Sequence, residues 1–395
     1  MDNKTATRME DALKQNPDWS LVLKESERLG VQTLLYKHLS ENSFGSYVPD
    51  EIMQNLQQNF RRQSMRSLRT YSLINRIANS MNSCNIPVIL LKGAFLAKQI
   101  YKDIALRPMN DIDILCRNQD SSIIREKMAE LGFYEQKPVY QSRFHEKAFP
   151  DADLGVIVPS AATDDRFYPF FNEKGNKVDI HFSLYDPQLI PGKKTADLQA
   201  SIMEDVWKAA TPFYLDGLTV YSLSPEDQLL HLTTHLYKHI TPEYGGITLY
   251  WFCDIHELIK SNKDKTDWEK FCTKAEGLGA GSQTGTVLSL VKNYWDTPIP
   301  DRVLDRLGQG SENRSLEEII YKKSDYRLHY AKIIKAAWKM DGWKNRLYFL
   351  MGFVFPTREY LISRYQLKKH SFVWIYYVIH PCILSVKAVR RLLRF

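Results

Sequence analysis

The most constraining feature of this sequence is a short segment in which aspartates alternate with apolar residues, Asp111-Ile-Asp-Ile-Leu115. Side chains two positions apart in a β-strand point to the same face of the sheet, at a rise of about 3.3 Å per residue. A strand here sets the carboxylates of Asp111 and Asp113 side by side and sends Ile112 and Ile114 into the core. Two parallel carboxylates repel each other unless a cation neutralises them, so the pattern favours a divalent metal with oxygen ligands.

A third carboxylate lies in a second predicted strand, Lys177-Val-Asp-Ile-His-Phe182, which follows a hairpin turn at Gly175. Asp179 stands between Val178 and Ile180, so it also faces away from the core. Three carboxylates on neighbouring strands can hold two magnesium ions about 3.5–4 Å apart, the arrangement of phosphoryl and nucleotidyl transfer.

The order of elements matters more than either aspartate motif alone. An Asp-x-Asp triplet arises by chance about once in a chain of this length, given about 5% aspartate. Here a predicted strand ending at Leu91 is closed by Lys92-Gly93, a helix of Ala94–Tyr101 follows, and Arg107 precedes the aspartate-bearing strand.

In this combination the sequence resembles the DNA polymerase β-like nucleotidyltransferase superfamily. The matching segments are Leu90-Leu-Lys-Gly-Ala, Leu106-Arg-Pro-Met-Asn-Asp-Ile-Asp-Ile-Leu115 and Val178-Asp-Ile-His181, and they are nearest to an uncharacterised bacterial branch. The resemblance implies an α+β or α/β fold, a mixed sheet with helices. Helical regions at residues 1–80 and 223–395 are expected to flank a transferase core at residues 81–222.

The resemblance also implies roles for individual residues. Asp111, Asp113 and Asp179 become ligands of two Mg²⁺ ions, with Mn²⁺ as the alternative, and Asp179 holds the ion that activates the attacking hydroxyl. Lys92-Gly93 takes the place of the Gly-Ser turn that binds phosphate in relatives. Ala94 stands where many relatives have serine, so a hydroxyl contact to phosphate is missing.

Further nucleotide-binding residues follow from the same resemblance and from strand spacing. Arg107, just ahead of the aspartate strand, suits a triphosphate or pyrophosphate. His181 lies two residues beyond Asp179, shares its face, and is a candidate contact to nucleotide or acceptor.

Three histidines recur at helical spacing, His231, His235 and His239. Leu236 stands where a zinc protease needs its glutamate, so this row predicts no protease. His235 and His239 are candidates for lining the transferase cleft, and a structural role is the alternative. Asp254 is predicted to be a buried polar partner of this histidine face.

Charge, cysteine content and the N-terminal sequence indicate which partners, metal sites and cellular location to expect. A formal charge of +7 is spread over many residues and is mild for a dedicated DNA-binding protein, although it favours an anionic substrate. We identify no concentrated basic stripe with interleaved aromatic residues, so nucleic acid is an unlikely partner. Five widely spaced cysteines without a CxxC pair indicate neither a disulfide framework nor a zinc site. A polar start without a signal peptide predicts a cytoplasmic protein.

Two segments need a separate interpretation. The glycine-rich run 277–285 fails as a dinucleotide motif, and a helix–helix connection is predicted instead. Residues 371–386 carry no Asp, Glu, Lys or Arg and precede a basic tail. They predict a buried helix pair interrupted at Pro381; the alternative is peripheral contact with the inner face of a membrane.

The function predicted from these features is Mg²⁺-dependent transfer of a nucleotidyl group from a nucleoside triphosphate, such as ATP, with release of pyrophosphate. The acceptor is left open among a small molecule, a sugar phosphate and a peptide. Two alternatives keep the fold: kinase-like phosphoryl transfer, and a non-catalytic nucleotide-binding or scaffold protein, which the alanine at position 94 favours.

Overall fold

The computed structural model describes residues 3–41, 44–135, 167–185, 195–241, 247–308, 315–321, 338, 342–356, 358, 361 and 373–392. The helices are α1 Asn3–Lys14, α2 Trp19–Arg28, α3 Gln32–Glu41, α4 Asp50–Asn82, α5 Lys92–Gln99, α6 Ser121–Glu130, α7 Thr195–Ala209, α8 Pro225–Ile240, α9 Tyr250–Ser261, α10 Trp268–Gly277, α11 Gly281–Trp295, α12 Asp301–Leu307, α13 Leu316–Tyr321, α14 Trp343–Val354 and α15 Val373–Leu392. The strands are β1 Ile89–Leu90, β2 Ile112–Leu115, β3 Phe133–Glu135, β4 Phe167–Asn172, β5 Lys177–His181, β6 Thr211–Leu215 and β7 Leu218–Ser222.

The predicted mixed fold is confirmed. Within the described residues the strands form one sheet in the order β3-β4-β5-β2-β1-β7-β6. β2 pairs parallel with β5 and antiparallel with β1, and β1 pairs parallel with β7. β1 is short, but the chain continues alongside β2 for one more residue, because the Leu91 amide donates to the Asp113 carbonyl at 3.1 Å.

The N-terminal helices pack around their own apolar cluster, which includes Trp19, Leu39 and Leu56. α4 is a single helix of 33 residues within the helical region expected at residues 1–80. Its last three turns bury a face that includes Tyr71, Ile74, Ile77 and Met81. That face is spaced at i, i+3 and i+4, the pattern of a helix packed on a core.

The hairpin of β6 and β7 contains a strand that the sequence interpretation missed. Pro212 to Leu215 pair antiparallel with Tyr221 to Leu218. The two-residue turn Asp216-Gly217 has positive φ at both positions, 48° and 89°. An Asp-Gly turn of this kind is a strong hairpin signal, so the strand could have been found from it.

α8 begins as its sequence predicts. The Ser224 hydroxyl accepts from the Asp227 amide at 3.2 Å and donates to the Asp227 carboxylate at 2.7 Å. Pro225 occupies the first turn, where its missing N–H costs no helical hydrogen bond. Tyr185 and Lys274 also donate to the buried Asp227 carboxylate, which ties the start of α8 to its neighbours.

The glycine-rich run 277–285 joins α10 to α11, as predicted, and then continues into α11. Gly285 lies within α11, where a Cβ atom would approach the Gly308 carbonyl oxygen to 2.0 Å. A close approach of two backbones therefore explains a glycine there without any bound phosphate.

Two compact units divide the chain, residues 1–133 with 170–324 and residues 134–169 with 325–395. In the second unit, α15 runs unbroken through Pro381. The expected helix pair is therefore wrong at this point; a proline removes one backbone donor, and the helix continues on both sides of it. None of the described helices is long and apolar enough to cross a membrane. The division at residues 80/81 and 222/223 stays a prediction.

Candidate active site

The site is built on the parallel pair β2 and β5, whose register places Asp113 directly opposite Asp179. Ile112 and Ile114 point into the core as their alternation predicts. Both aspartate side chains are nearly buried, 6% and 8% exposed, whereas that of Asp111, just before β2, is 38% exposed. The structure thus brings the three predicted carboxylates to one place.

Two basic side chains contact Asp113. Lys92 Nζ lies 2.9 Å and His181 Nε2 lies 2.8 Å from the same oxygen, Asp113 Oδ1. Burial opposes the charge of Asp113, but Lys92 and His181 outweigh it and hold the pKa of this carboxyl well below its usual range. Asp113 is therefore ionised, and two of the predicted nucleotide-binding residues, Lys92 and His181, lie at the carboxylate cluster.

Lys177 is a site residue that the sequence interpretation missed. Its Nζ atom lies 2.6 Å from Asp179 Oδ2 and 3.3 Å from Asp111 Oδ2, so it joins the other two carboxylates. Burial lowers the pKa of Lys177, but Asp179 and then Asp111 raise it overall. The signal was present in the sequence, because Lys177 lies two residues before Asp179 in a strand and must share its face.

Asp179 keeps an unused oxygen. Its Oδ1 atom is buried and has no hydrogen-bond partner among the described residues, and burial raises the pKa of this carboxyl even though Lys177 opposes the shift. A buried acceptor without a partner is unusual, and a bound ligand would satisfy it.

The three carboxylates offer only oxygen atoms as metal ligands, which fits Mg²⁺. Among the described residues, no group of three or more His, Cys, Asp and Glu side chains is close enough together to hold a metal ion. In the carboxylate cluster, the Lys177 ammonium group lies between Asp111 and Asp179.

The turn after β1 presents backbone amides beside Lys92. Leu91, the residue before α5, provides no side-chain cap. The Ala94 amide donates to the Leu91 carbonyl at 3.1 Å, so the amides of Lys92 and Gly93 are the ones that face another acceptor. Lys92 has a positive φ of 41°, a strained conformation for a residue with a side chain. The Tyr71 hydroxyl donates to the Ala94 carbonyl at 2.9 Å and holds this turn from α4.

Gly93 is required by packing. A Cβ atom at this position would lie 2.6 Å from Met109 Cγ and 2.9 Å from the nearest Arg107 nitrogen. The segment that leads into β2 thus packs directly over Gly93. The absence of a side chain at Gly93 lets the lysine turn and the segment before the aspartate strand pack together. The sequence analysis explained Gly93 only by phosphate binding, and that role stays a prediction.

Arg107 has a different partner from the one expected. Its Nε and one terminal nitrogen donate to Asp254 at 3.0 and 2.8 Å, and Tyr101 donates to the same carboxylate at 3.0 Å. The guanidinium carbon lies 4.3 Å from the centre of the Tyr250 ring. Asp254 is therefore the buried partner of Arg107 and not of the histidine face. Any phosphate contact by Arg107 would compete with this pair, and that predicted role stays a prediction.

The histidine row forms a contact series along α8. The ring centres of His231 and His235 are 6.4 Å apart, those of His235 and His239 are 4.7 Å apart, and Trp251 contacts the last two. Burial first, and then Lys92, lowers the pKa of His231 to about 3, and burial and neighbouring lysines lower that of His239 to about 4. Burial also lowers the pKa of His235. These rings are therefore neutral, and His231 Nε2 is buried without a hydrogen-bond partner.

A family model described as "uncharacterised nucleotidyltransferase" matches residues 15–296, more than two thirds of the chain. No curated protein matches this chain. Among solved structures, the antibiotic-resistance factor ANT(2'')-Ia is 12% identical, over 54% of this chain and 91% of that one, with a TM-score of 0.34. An antigenic nucleotidyltransferase-like protein from Paracoccidioides brasiliensis is 15% identical, over 61% and 94%, with a TM-score of 0.32. Both TM-scores are below 0.5, so the family assignment rests on the match to the family model alone.

Proposed function

Since the chain belongs to the uncharacterised nucleotidyltransferase family, we propose that it transfers a nucleotidyl group from a nucleoside triphosphate to an acceptor hydroxyl or phosphate. The observation that carries this proposal is the parallel register of Asp113 and Asp179, with Asp111 beside them and a lysine turn opposite. Carboxylates from two strands facing a cationic turn suit a triphosphate and its metal better than any apolar substrate.

The carboxylate oxygens of Asp111, Asp113 and Asp179 would hold the divalent cation, Mg²⁺ or Mn²⁺. When bound, it supplies the positive charge that phosphate and acceptor oxygens require during transfer. Lys177 now neutralises two of these carboxylates. We expect its ammonium group to leave Asp111 and Asp179 as the cation enters, because both cations would need the same oxygens.

The triphosphate would contact the turn after β1. The backbone amides of Lys92 and Gly93 at the start of α5 and the Lys92 ammonium group would provide this contact without a side-chain hydroxyl, in keeping with Ala94. Lys92 already lies beside Asp113. It can therefore bind phosphate and neutralise the carboxylate at the same position.

The proposed reaction forms a bond between the acceptor oxygen and the α-phosphorus and breaks the bond from the α-phosphorus to the leaving pyrophosphate. A hydroxyl acceptor also loses its proton. Asp179 Oδ1 is the group best suited to receive it, because this oxygen has no hydrogen-bond partner and burial raises the pKa of the carboxyl. His181 orients Asp113 from the neighbouring strand.

The test removes one carboxylate charge at a time. Asp111→Asn and Asp113→Asn should each reduce pyrophosphate release at least about a thousandfold, or about 4 kcal/mol. The assay uses each of four nucleoside triphosphates with Mg²⁺ and a panel of sugar phosphates, peptides and RNA. Asp264→Asn, at an exposed position outside the cluster, should leave turnover unchanged.

Two outcomes would contradict the proposal. Most activity retained by either cluster variant would remove that aspartate from the site. Product masses that increase by a phosphate instead of a nucleotide would show kinase-like transfer on the same fold. Thermal unfolding of each variant separates a chemical defect from a folding defect.

A further inference from the structure

The positive charge of the chain is concentrated at one end. Residues 325–395 carry 14 Lys and Arg against three Asp and Glu, whereas the first 324 residues carry 39 against 43. The net positive charge therefore lies in residues 325–395. Beyond Glu359 the sequence has no acidic residue at all. A segment this cationic, attached to an otherwise slightly acidic chain, indicates an anionic partner for this region.

α14 exposes an apolar stripe. Trp343 is 69% exposed, and Leu347 and Leu350 are also exposed. Their spacing of i, i+4 and i+7 puts them on one face of the helix, while Phe349 is buried on another. Within the part of the chain that the structure describes, this outward face of tryptophan and leucine therefore has no packing partner.

α15 repeats this arrangement. Trp374 is 67% exposed and Val378, one turn later, is 66% exposed, whereas Val373 and His380 are buried. Hence both described helices of this region bury one side and expose a stripe that begins with tryptophan. The basic tail begins within the last turns of α15, at Lys387.

Cations lie next to the exposed indoles. Lys344 Nζ is 5.9 Å from the ring centre of Trp343, and the Arg346 guanidinium is 5.2 Å from that of Trp338. Tryptophan and basic residues together are typical of segments that lie at the boundary between lipid headgroups and acyl chains.

We propose that residues 325–395 dock on the surface of an anionic lipid bilayer. Trp343 and Trp374 enter the headgroup region, the leucine and valine side chains reach the acyl boundary, and the lysines and arginines bind the anionic headgroups. No described helix can span a membrane, so the contact is with one leaflet.

A bilayer fits these observations better than a nucleic acid. Nucleic acids use aromatic rings for base stacking and lysines for phosphates, but they offer nothing to exposed Leu347, Leu350 and Val378. An acyl layer accepts those side chains and the indoles at once. This inference concerns the second compact unit alone and does not depend on the transfer reaction.

The experiment sediments the full-length protein with vesicles of phosphatidylcholine alone and with vesicles that also contain phosphatidylglycerol, at about 0.15 M salt. We expect binding to the anionic vesicles at least about tenfold tighter than to the neutral ones, with weaker binding as salt rises. Tryptophan fluorescence should shift to shorter wavelength in the bound protein.

Variants assign the contact to these residues. Trp343→Ala with Trp374→Ala, and separately Lys368→Gln with Lys369→Gln, should each weaken binding to anionic vesicles about tenfold. The matched controls lie in the first unit: Tyr214→Ala, and Lys263→Gln with Lys265→Gln, all at exposed positions. The controls should bind as the parent chain does. If the tryptophan variant fails to fold by circular dichroism, the lysine pair decides.

The proposal is overturned if anionic vesicles bind no better than neutral ones, or if the controls lose as much binding as the test variants. Tighter binding to an RNA homopolymer than to anionic vesicles at the same salt would assign the surface to nucleic acid. Concentration-dependent dimers that disappear in the tryptophan variant, without vesicle binding, would assign it to a second copy of the chain.

Discussion

The Arg107–Asp254 pair and the carboxylate cluster of β2 and β5 are both groups of acidic and basic side chains with buried members, but they differ in how fully their buried carboxylates are hydrogen-bonded. Asp254 accepts from two Arg107 nitrogens and from Tyr101, and the guanidinium also covers the Tyr250 ring. Asp179, in contrast, leaves one buried oxygen without a partner.

This difference separates structure from chemistry. A fully bonded pair has little left to offer a ligand and joins the segment before β2 to α9. A cluster with several carboxylates, a displaceable lysine and an unbonded oxygen retains capacity for a cation or substrate. Breaking the Arg107–Asp254 pair should therefore lower stability, and breaking the carboxylate cluster should lower turnover.

The largest expected effect is on stability, from Asp254→Ala. This change leaves the Arg107 guanidinium buried without its carboxylate, which should lower the free energy of unfolding by about 3–5 kcal/mol. Urea denaturation measures it. The matched control is Glu130→Ala, which breaks the exposed 2.9 Å pair with Lys127 and should cost at most about 1 kcal/mol. Equal losses in both variants would mean that burial does not distinguish the two pairs.

The next effect is on chemistry, from Asp179→Ala. Turnover should fall about a hundredfold or more, about 2.7 kcal/mol, while binding of the Mg²⁺–nucleotide complex stays within about tenfold. Titration calorimetry and a pyrophosphate-release assay on one preparation measure both. Equal losses would make Asp179 a general nucleotide ligand, and unchanged turnover would remove it from the site.

The smallest expected effect is on the pH dependence of stability and comes from His231. Like Asp179, His231 is a buried side chain with one atom that has no hydrogen-bond partner among the described residues. Its pKa is about 3 in the fold against about 6.5 unfolded. The folded-state pKa is lowered, so its contribution to stability is present above about pH 6.5 and is lost as the pH falls toward 3. Between pH 7 and 5.5 this loss is about 1 kcal/mol. His231→Gln should remove it from the pH dependence of urea unfolding, measured with EDTA present. An unchanged slope would contradict the assignment.

Much of the fold and the carboxylate cluster was readable from local patterns. The alternation around Asp111 and Asp113 predicted β2, the turn at Gly175 predicted the hairpin that presents Asp179, and Ser224-Pro225 predicted the start of α8. Each signal works because strand and helix periodicity and turn chemistry act over a few residues. Lys177 was within reach of the same reasoning, since it shares a face with Asp179.

The partners of these residues were decided only by the tertiary structure. Nothing near Arg107 in the sequence indicates that its carboxylate is Asp254, 147 positions away, or that Gly93 is small because Met109 packs on it. The sequence by itself determined which side chains share a strand face and how charge is divided along the chain. Which of them meet, and which oxygen stays unbonded, depends on packing between distant segments, because an ion pair or a close contact between such segments leaves no periodic trace in either one.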